Sequence, residues 1–298
     1  MMSSSEHPSS SSPAANTKIA TLEAPGSQNR LSYSSKLLNA LNKFTGGLAT
    51  EVKHPMLAKY GKAYELLITG DSLRYQEDVD AAMAHYEEAL TLREDMTEAH
   101  VGMGKCLRRK GIYHQAIEHF KSALSSTPFD KEVHLELAKS YNEAGQLAPS
   151  IRHYERALKL DPQFLEAKFS LALVVELNQD ITYATKLYQE IIAQDPGFLP
   201  AYNNLGSIYL RSGLFTQAKE TFENLIERAP DFSRGYLGLG LTLDKSGEKK
   251  KALDVYHRLL DLNTTINSAE YVKKRIIALN TELGRTKTRK NTTVVRIK

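Results

Sequence analysis

Small, aromatic and proline residues recur along the chain at a constant interval of 34 residues. The small residues are Gly104, Ala138, Ala172, Gly206 and Gly240. The aromatic residues are Phe120, Tyr154, Tyr188, Phe222 and Tyr256, and the prolines are Pro128, Pro162, Pro196 and Pro230. A pattern with a period of roughly 20 to 50 residues is typical of stacked repeat arrays, in which each unit buries its apolar face on its neighbours.

Hydrophobic periodicity divides each interval into two helices. Residues 98–110 and 113–125 show the spacing most clearly, with Gly111 between them. Glycine adopts positive φ readily, and it therefore favours a turn at the end of the first helix. The small residues let the helices approach closely, leucines such as Leu137 and Leu171 fill the space between them, and the proline ends the second helix. The pattern predicts an all-α fold.

These columns resemble the tetratricopeptide repeat (TPR), a helix–turn–helix unit of about 34 residues. The resemblance covers residues 97–266 as five units, and a sixth, weaker unit, residues 63–96, lacks the proline. The five units begin at Thr97, Lys131, Leu165, Leu199 and Ser233. The tryptophan of the family is absent, and its column holds His100, His134, Lys168, Tyr202 and Tyr236. The resemblance implies a TPR-type α-solenoid, a right-handed superhelix of stacked units.

The residues before the repeats fall into two predicted parts. Residues 1–30 are rich in Ser, Pro and Ala, which predicts a disordered N-terminus. Residues 31–62 are predicted to form an amphipathic leader helix and a linker, with a longer helix over residues 55–75. The apolar residues at helical spacing in the leader are Leu37, Leu38, Leu41 and Phe44. The leader packs on the first repeat, or it detaches and docks in the groove of the array or on a membrane surface.

The segment after the last unit is predicted to be a capping helix followed by a basic tail. The cap, residues 267–284, is predicted to end at Gly284, and a terminal helix of this kind keeps the last apolar face out of water. Its apolar stripe consists of Val272, Ile276, Leu279 and Leu283. From Lys273 onward nine basic residues and one acidic residue give a net charge of +8, against +4 for the whole chain. The tail, residues 285–298, binds nucleic acid, anionic lipid or an acidic protein, or it is a solubilising disordered end.

Motifs for catalysis are missing from the sequence. It contains no Gly-rich phosphate loop, HExxH, CxxC or nucleophile elbow, so we predict no enzymatic activity, no cofactor and no metal. His85, His119 and His153 recur one unit apart, but equivalent residues of packed helices stand about 10 Å apart, too far to share a metal ion. They are expected to form a solvent-exposed ridge on the second helices.

The sequence carries no signal for a membrane or a secretory route. It lacks an apolar run of roughly 18 residues, and its N-terminus lacks a basic segment followed by an apolar run. The single cysteine, Cys106, is expected to be buried, and it cannot form an internal disulfide. Together these features predict a cytoplasmic protein without a transmembrane segment.

The resemblance implies that the first helices line a concave groove that accepts peptides. The candidate groove residues are Lys105, Arg108, Arg109, Leu135, Lys139, Asn142, Phe169, Leu173, Asn203, Asn204 and Arg211. The apolar residues suit a partner with apolar anchors. The early basic cluster, which consists of Lys105, Arg108, Arg109 and Lys139, suits acidic residues beside those anchors. We therefore expect a protein–protein interaction scaffold. The alternatives are nucleic-acid or anionic-surface binding through the tail, and a regulatory subunit of an enzyme encoded elsewhere.

Two specialisations of the family are not favoured. A carboxylate clamp needs five basic or amide residues, and an asparagine ladder needs asparagine at the sixth position of each unit. The clamp positions hold Phe169, Leu173, Asn204, Arg234 and Gly238. The ladder positions hold Gly102, Glu136, Ser170, Asn204 and Gly238.

Overall fold

The computed structural model describes residues 55–262 and 269–295, with side chains for residues 60–262 and 269–284. Within these ranges the chain forms thirteen α-helices and no strand, which confirms the predicted all-α fold. The helices are α1 (Pro55–Tyr75), α2 (Val79–Leu92), α3 (Thr97–Arg109), α4 (Tyr113–Ser126), α5 (Lys131–Glu143), α6 (Leu147–Leu160), α7 (Leu165–Leu177), α8 (Ile181–Gln194), α9 (Leu199–Arg211), α10 (Phe215–Arg228), α11 (Ser233–Lys245), α12 (Lys249–Asp261) and α13 (Ala269–Val295).

The helices stack in chain order. From α2 to α13 each helix packs against the next, which is the arrangement of an α-solenoid. The odd-numbered helices α3 to α11 begin at the residues where the five strongest sequence units begin. The predicted N-terminal disorder and most of the predicted leader helix and linker, up to residue 54, lie outside the described residues.

The turn inside each unit contains a residue with positive φ. In four units this residue is Gly111, Gly145, Gly213 or Gly247. The backbone N–H of Gly111 donates to the carbonyl oxygen of Arg108 at 3.0 Å, which satisfies one of the carbonyl groups left over at the helix end. Glu77 and Gln179 occupy the same position after α1 and α7, with φ of 68° and 64°, a conformation that costs energy when a Cβ is present.

The aromatic residue of each unit is enclosed between two odd-numbered helices. Phe222 of α10 is 1% exposed and lies between Gly206 of α9 and Gly238 of α11. A Cβ added at Gly206 would stand 2.8 Å from the Phe222 ring, and one added at Gly238 would overlap that ring. Tyr86 contacts Gly102 in the same way. The structure therefore adds a second packing column, two positions before the small residues found in the sequence.

Tyrosines in the aromatic column carry hydroxyl groups that need partners inside the array. Tyr86 donates to Asp71 at 2.7 Å. Tyr188 donates to Glu176 at 3.0 Å and accepts a hydrogen bond from the amide of Asn204 at 3.2 Å. Burial and the neighbouring carboxylate raise the pKa of both tyrosines, so they remain protonated donors.

The last helix, α13, covers the end of the array. Val272, Ile276 and Leu279 are buried in the same core as the last repeat. Arg275 donates two hydrogen bonds to the carboxylate of Asp244 on α11, at 2.5 and 2.8 Å. This paired geometry fixes the register of the cap on the repeat before it.

The predicted end of the cap at Gly284 is wrong. Helix α13 continues to Val295, into the segment that the sequence assigned to the tail. Gly284 is not among the described residues with positive φ. A glycine within a helix costs only about 1 kcal/mol relative to alanine, and the hydrogen bonds on either side can offset that cost.

Candidate partner-binding surface

The odd-numbered helices form one layer of the array. Helix α3 contacts α5, α5 contacts α7, and α9 contacts α11, in addition to the contacts each makes with even-numbered helices. We call the solvent-accessible faces of α1, α3, α5, α7, α9 and α11 the inner surface. Every candidate groove residue lies on α3, α5, α7 or α9.

On α3 and α5 the inner surface is a network of ion pairs centred on Glu136. This side chain is 13% exposed and accepts a hydrogen bond from Arg108 at 3.1 Å. The ammonium groups of Lys105 and Lys139 lie 3.7 and 3.9 Å from the other oxygen of the same carboxylate. Three of the candidate cations therefore converge on one carboxylate within the array.

The same cations also reach carboxylates on neighbouring elements. Arg108 contacts Glu143 at 2.8 Å, and Lys139 contacts Glu166 of α7 at 2.6 Å. Arg109, which is half exposed, contacts Glu77 after α1 at 2.9 Å. The early basic cluster is thus charge-compensated, and acidic residues of a partner would have to compete with these contacts.

The environment of Arg108 keeps its guanidinium group charged. Burial acts to lower the pKa of Arg108, but the charges of Glu136 and Glu143 outweigh burial and raise that pKa. Leu135, the apolar candidate on the same pair of helices, is 4% exposed and belongs to the core. Asn142 is half-buried at the surface.

Helix α7 carries an apolar stripe on the inner surface. Phe169, Leu173 and Leu177 follow one another at four-residue spacing and therefore share a helix face. Phe169 and Leu173 are half-buried, and Leu177 is 64% exposed. The Phe169 ring packs edge-on against Phe198 at a centroid distance of 4.9 Å. On α5 the position equivalent to Leu173 holds the ion-paired Lys139. The inner surface therefore changes from charged to apolar at α7.

Helix α9 contributes amide groups and one exposed cation. Asn203 donates to the side-chain oxygen of Asn204 at 3.2 Å, and Asn204 in turn donates to Tyr188. Asn204 is therefore engaged inside the array. Arg211 is 59% exposed and pairs with Glu176 of α7 at 2.5 Å.

Helix α11 carries two leucines and two cations that are not among the candidate groove residues. Arg234, Leu237, Leu241 and Lys245 share one face by their spacing. The leucines are half-buried and both cations are exposed. Neither Arg234 nor Lys245 has a carboxylate partner among the residues that the structure describes. They are the second, fifth, ninth and thirteenth residues of the unit that begins at Ser233. The candidates Lys139, Leu173 and Arg211 occupy the ninth or thirteenth position of earlier units, so the repeat spacing could have found the residues of α11 as well.

The predicted solvent ridge of histidines is wrong. His119 lies 3.0 Å from His100, and His153 lies 3.1 Å from His134, each distance joining the two Nδ1 atoms. In each pair the Nε2 of the first-helix histidine contacts a backbone carbonyl oxygen, at 2.9 and 3.2 Å. That nitrogen must donate, so its Nδ1 accepts a hydrogen bond from the second histidine. The pairs form because His100 and His134 occupy the column of the missing tryptophan, between the two helices of a unit.

Burial lowers the pKa of three of these histidines. For His153 it lowers the pKa to about 4, with further contributions from His134, Arg152 and Lys121. For His119 the second cause is the neighbouring His100. The pKa of His134 is lowered chiefly by burial. These three imidazoles are therefore uncharged at neutral pH.

Residues 60–262 and 269–284 contain no group of three or more His, Cys, Asp or Glu side chains placed to hold a metal ion. In the described part of the chain no helix combines the length and the apolar character needed to cross a membrane. Cys106 is buried as expected, and burial raises the pKa of its thiol.

The sequence profile of the tetratricopeptide repeat matches residues 69–131, 135–197 and 203–265, which is more than half of the chain. The chain belongs to the tetratricopeptide repeat family. The first match includes the weak leading unit, so the array of this TPR protein starts before residue 97.

Solved structures share the fold of this TPR protein. A crystal structure of MamA is 27% identical, with a TM-score of 0.53 over 59% of this chain and 94% of the MamA chain. YrrB, a TPR protein with an unusual peptide-binding site, is 22% identical, with a TM-score of 0.51 over 57% and 88% of the two chains. PilF of Pseudomonas aeruginosa is 12% identical, with a TM-score of 0.59 over 73% and 99%. The last two likenesses show the fold alone. No curated protein matches the chain significantly.

The structure explains why two TPR specialisations are not favoured here. At the clamp positions, Phe169 and Leu173 are apolar, and Gly238 packs on the Phe222 ring. Asn204 is the single asparagine at the ladder positions, and its amide donates to a tyrosine of the core. The sixth position therefore makes contacts inside the array at Gly238 and Asn204, and at Glu136 it holds the ion pairs between α3 and α5.

Proposed function

We propose that the chain is a non-enzymatic interaction scaffold that binds a partner segment on the inner surface of α7, α9 and α11. The observation that carries this proposal is the apolar stripe of Phe169, Leu173 and Leu177. It follows directly after a stretch of the inner surface whose cations are all ion-paired.

An accessible apolar stripe of this kind favours association. Burial of apolar surface contributes about 25 cal/mol per Å², and contiguous apolar patches rimmed by polar groups mark interaction sites. Aromatic and aliphatic anchors in such patches carry most of the binding energy, while the polar rim excludes water. Phe169 is braced by Phe198 and is therefore a preorganised anchor point.

Family membership supports the same proposal. TPR proteins are generally non-enzymatic scaffolds, and one structural neighbour, YrrB, has a peptide-binding site. A regulatory subunit of a separate enzyme would use the same surface, with that enzyme as the partner. We propose a cytoplasmic location, since the single, buried Cys106 fits a reducing compartment.

Replacing Leu177 by glutamate should weaken the capture of partners at least tenfold, which corresponds to about 1.4 kcal/mol. The introduced carboxylate would enter an apolar contact without a partner group. The measurement compares wild type and variant as immobilised full-length chains, with captured proteins quantified by mass spectrometry and the affinity of the leading one measured by interferometry.

A matched control is available on α13. Ile277 is 67% exposed, close to the 64% of Leu177, and lies on the cap. Ile277→Glu should leave partner capture unchanged, and both variants should keep the wild-type melting temperature because both sites are exposed. A set of partners that survives Leu177→Glu intact would contradict the proposal.

We also propose that the C-terminal segment binds an anionic polymer or surface. The observation that favours this second function is that α13 runs through Gly284 to Val295, so Arg285, Lys287, Arg289 and Lys290 continue a helix that is docked on the array. Deletion of residues 285–298 should abolish binding to a fluorescein-labelled single-stranded oligonucleotide. The affinity of the full chain should fall steeply between 50 and 200 mM salt. Equal affinity of the two chains would exclude the segment from the site.

A further inference from the structure

We infer that the partner segment is acidic as well as apolar, and that it binds across α7, α9 and α11 with its acidic groups on Arg234 and Lys245. This inference rests on the proposed function and names the chemistry of the partner. It reverses the sequence-based expectation, in which acidic residues met the cations of α3 and α5.

The two halves of the inner surface differ in charge. On α3 and α5 each candidate cation has at least one carboxylate within 4.0 Å, and Glu136 accepts contacts from three of them. On α11 Arg234 and Lys245 are exposed, and neither has a carboxylate partner in the described ranges. Uncompensated positive charge is therefore concentrated beyond α7.

The cations of α11 are placed around apolar groups. On α11 they stand at the two ends of one helix face, with Leu237 and Leu241 between them. Eleven residues of helix separate the two cations by about 16 Å along the axis. The apolar stripe of α7 lies on the other side of α9, and α9 offers Asn203 and the exposed Arg211. A segment lying across these helices meets apolar groups in the middle and positive charge at the margin.

Binding of an acidic group costs more at the cations of α3 and α5 than at those of α11. An acidic group that approaches Arg108 must displace Glu136 or Glu143 from it, and the displaced carboxylate would lose its partner. An acidic group that approaches Arg234 or Lys245 displaces no carboxylate of the described residues. The exposed cations attract the partner and select its charge, and the apolar stripes hold it.

A protein segment fits this surface better than a nucleic acid does. Nucleic-acid sites combine a continuous basic track with aromatic platforms on which bases stack. The faces of α7 and α11 instead place Leu173, Leu177, Leu237 and Leu241 at the centre. The phosphate backbone would leave these leucines without apolar contacts.

The test is a selection from a random dodecapeptide library displayed on phage, with the full-length chain as the target. Enriched peptides are then synthesised with a fluorescein label, and their affinities are measured by anisotropy at 50 and 250 mM NaCl. We expect enriched peptides to combine two or more large apolar residues with a net negative charge. We expect Arg234→Glu/Lys245→Glu to weaken their binding at least tenfold, and Arg234→Lys to retain it.

The matched control is Lys159→Glu/Lys250→Glu. These lysines are exposed on α6 and α12, and the double substitution changes the net charge of the chain equally. This control should leave the affinity at 250 mM NaCl unchanged. Equal weakening by both double variants would show a non-specific field effect and overturn the inference.

The remaining outcomes separate this inference from the proposed function. If peptide binding is lost in Leu177→Glu but retained in Arg234→Glu/Lys245→Glu, the charge assignment is overturned and the proposed scaffold function stands. The charge assignment is also overturned if basic peptides are enriched, or if a single-stranded 20-nucleotide DNA competes with the peptides for Arg234 and Lys245. Failure to enrich any peptide sensitive to Leu177→Glu overturns the proposed function itself.

Discussion

Alanine at Gly238 should destabilise the array by about 2 kcal/mol, even though alanine is the better helix former. The gain in helix propensity is about 1 kcal/mol. The added Cβ would overlap the ring of Phe222, which is 1% exposed and is already enclosed by Gly206 on its other side. Overpacking of a closed site of this kind costs about 3 kcal/mol, so the loss exceeds the gain.

The control is the same substitution at Gly284. This glycine also lies within a helix, but a Cβ added there meets no atom of the described residues within 4 Å. Gly284→Ala should therefore stabilise α13 by about 0.5 to 1 kcal/mol. Urea unfolding followed by circular dichroism measures both variants. A Gly238→Ala chain as stable as wild type would show that Phe222 does not bridge two repeats as described.

Acidification from pH 7 to pH 4.5 should remove about 1 to 2 kcal/mol of stability through His153 alone, with His119 and His134 acting in the same direction. A shift of one pKa unit corresponds to about 1.4 kcal/mol, and the half-buried site of His153 reduces the full effect. Its pKa is about 4 in the folded chain because burial and the charges of His134, Arg152 and Lys121 oppose protonation.

The direction follows from proton binding. Between pH 6.5 and 4 the unfolded chain, with ordinary histidines, binds more protons than the folded chain does. The stabilisation is therefore complete above about pH 6.5 and is lost as the pH falls towards the folded pKa. Each pair also has a geometric limit, because two protonated histidines would place N–H groups against each other at 3.0 or 3.1 Å.

Substitution of the paired histidines isolates their share of the acid response. His119→Gln/His153→Gln should flatten the dependence of the unfolding free energy on pH between 6.5 and 4.5. The control is His114→Gln, which removes an exposed histidine of α4, the helix that carries His119, and leaves both histidine pairs in place. An acid response identical in the double variant and in wild type would rule out the histidine pairs as its source.

The sequence predicts the repeat architecture well because its signals are local. The small residue, the aromatic residue and the turn residue of a unit lie close together in the chain, and the pattern recurs in five units, with Gln179 in place of the turn glycine in one of them. The predicted helix over residues 55–75 has the same bounds in the structure. Gly284 misled the prediction because glycine ends a helix only where the backbone adopts positive φ, which sequence alone does not reveal.

The candidate site was harder to predict because its character depends on contacts between units. The sequence alone indicates a binding site at Lys105, Arg108 and Lys139, because it does not show that carboxylates of neighbouring helices pair with these cations. Those partners are 27 to 35 residues away in the chain. Conversely, Arg234 and Lys245 stand out only once the candidate cations on α3, α5 and α9 have been paired with carboxylates. The histidine pairs were missed for a similar reason, since 19 residues separate their members.

Hydrogen exchange of the full-length chain, with and without a peptide selected from the library, tests the central claim most directly. The claim is that a partner segment is held on the inner surface of α7, α9 and α11. The account predicts slower amide exchange in these three helices when the peptide is bound, with little change in α3 and α5. Protection confined to α3 and α5, or to the even-numbered helices, would contradict it.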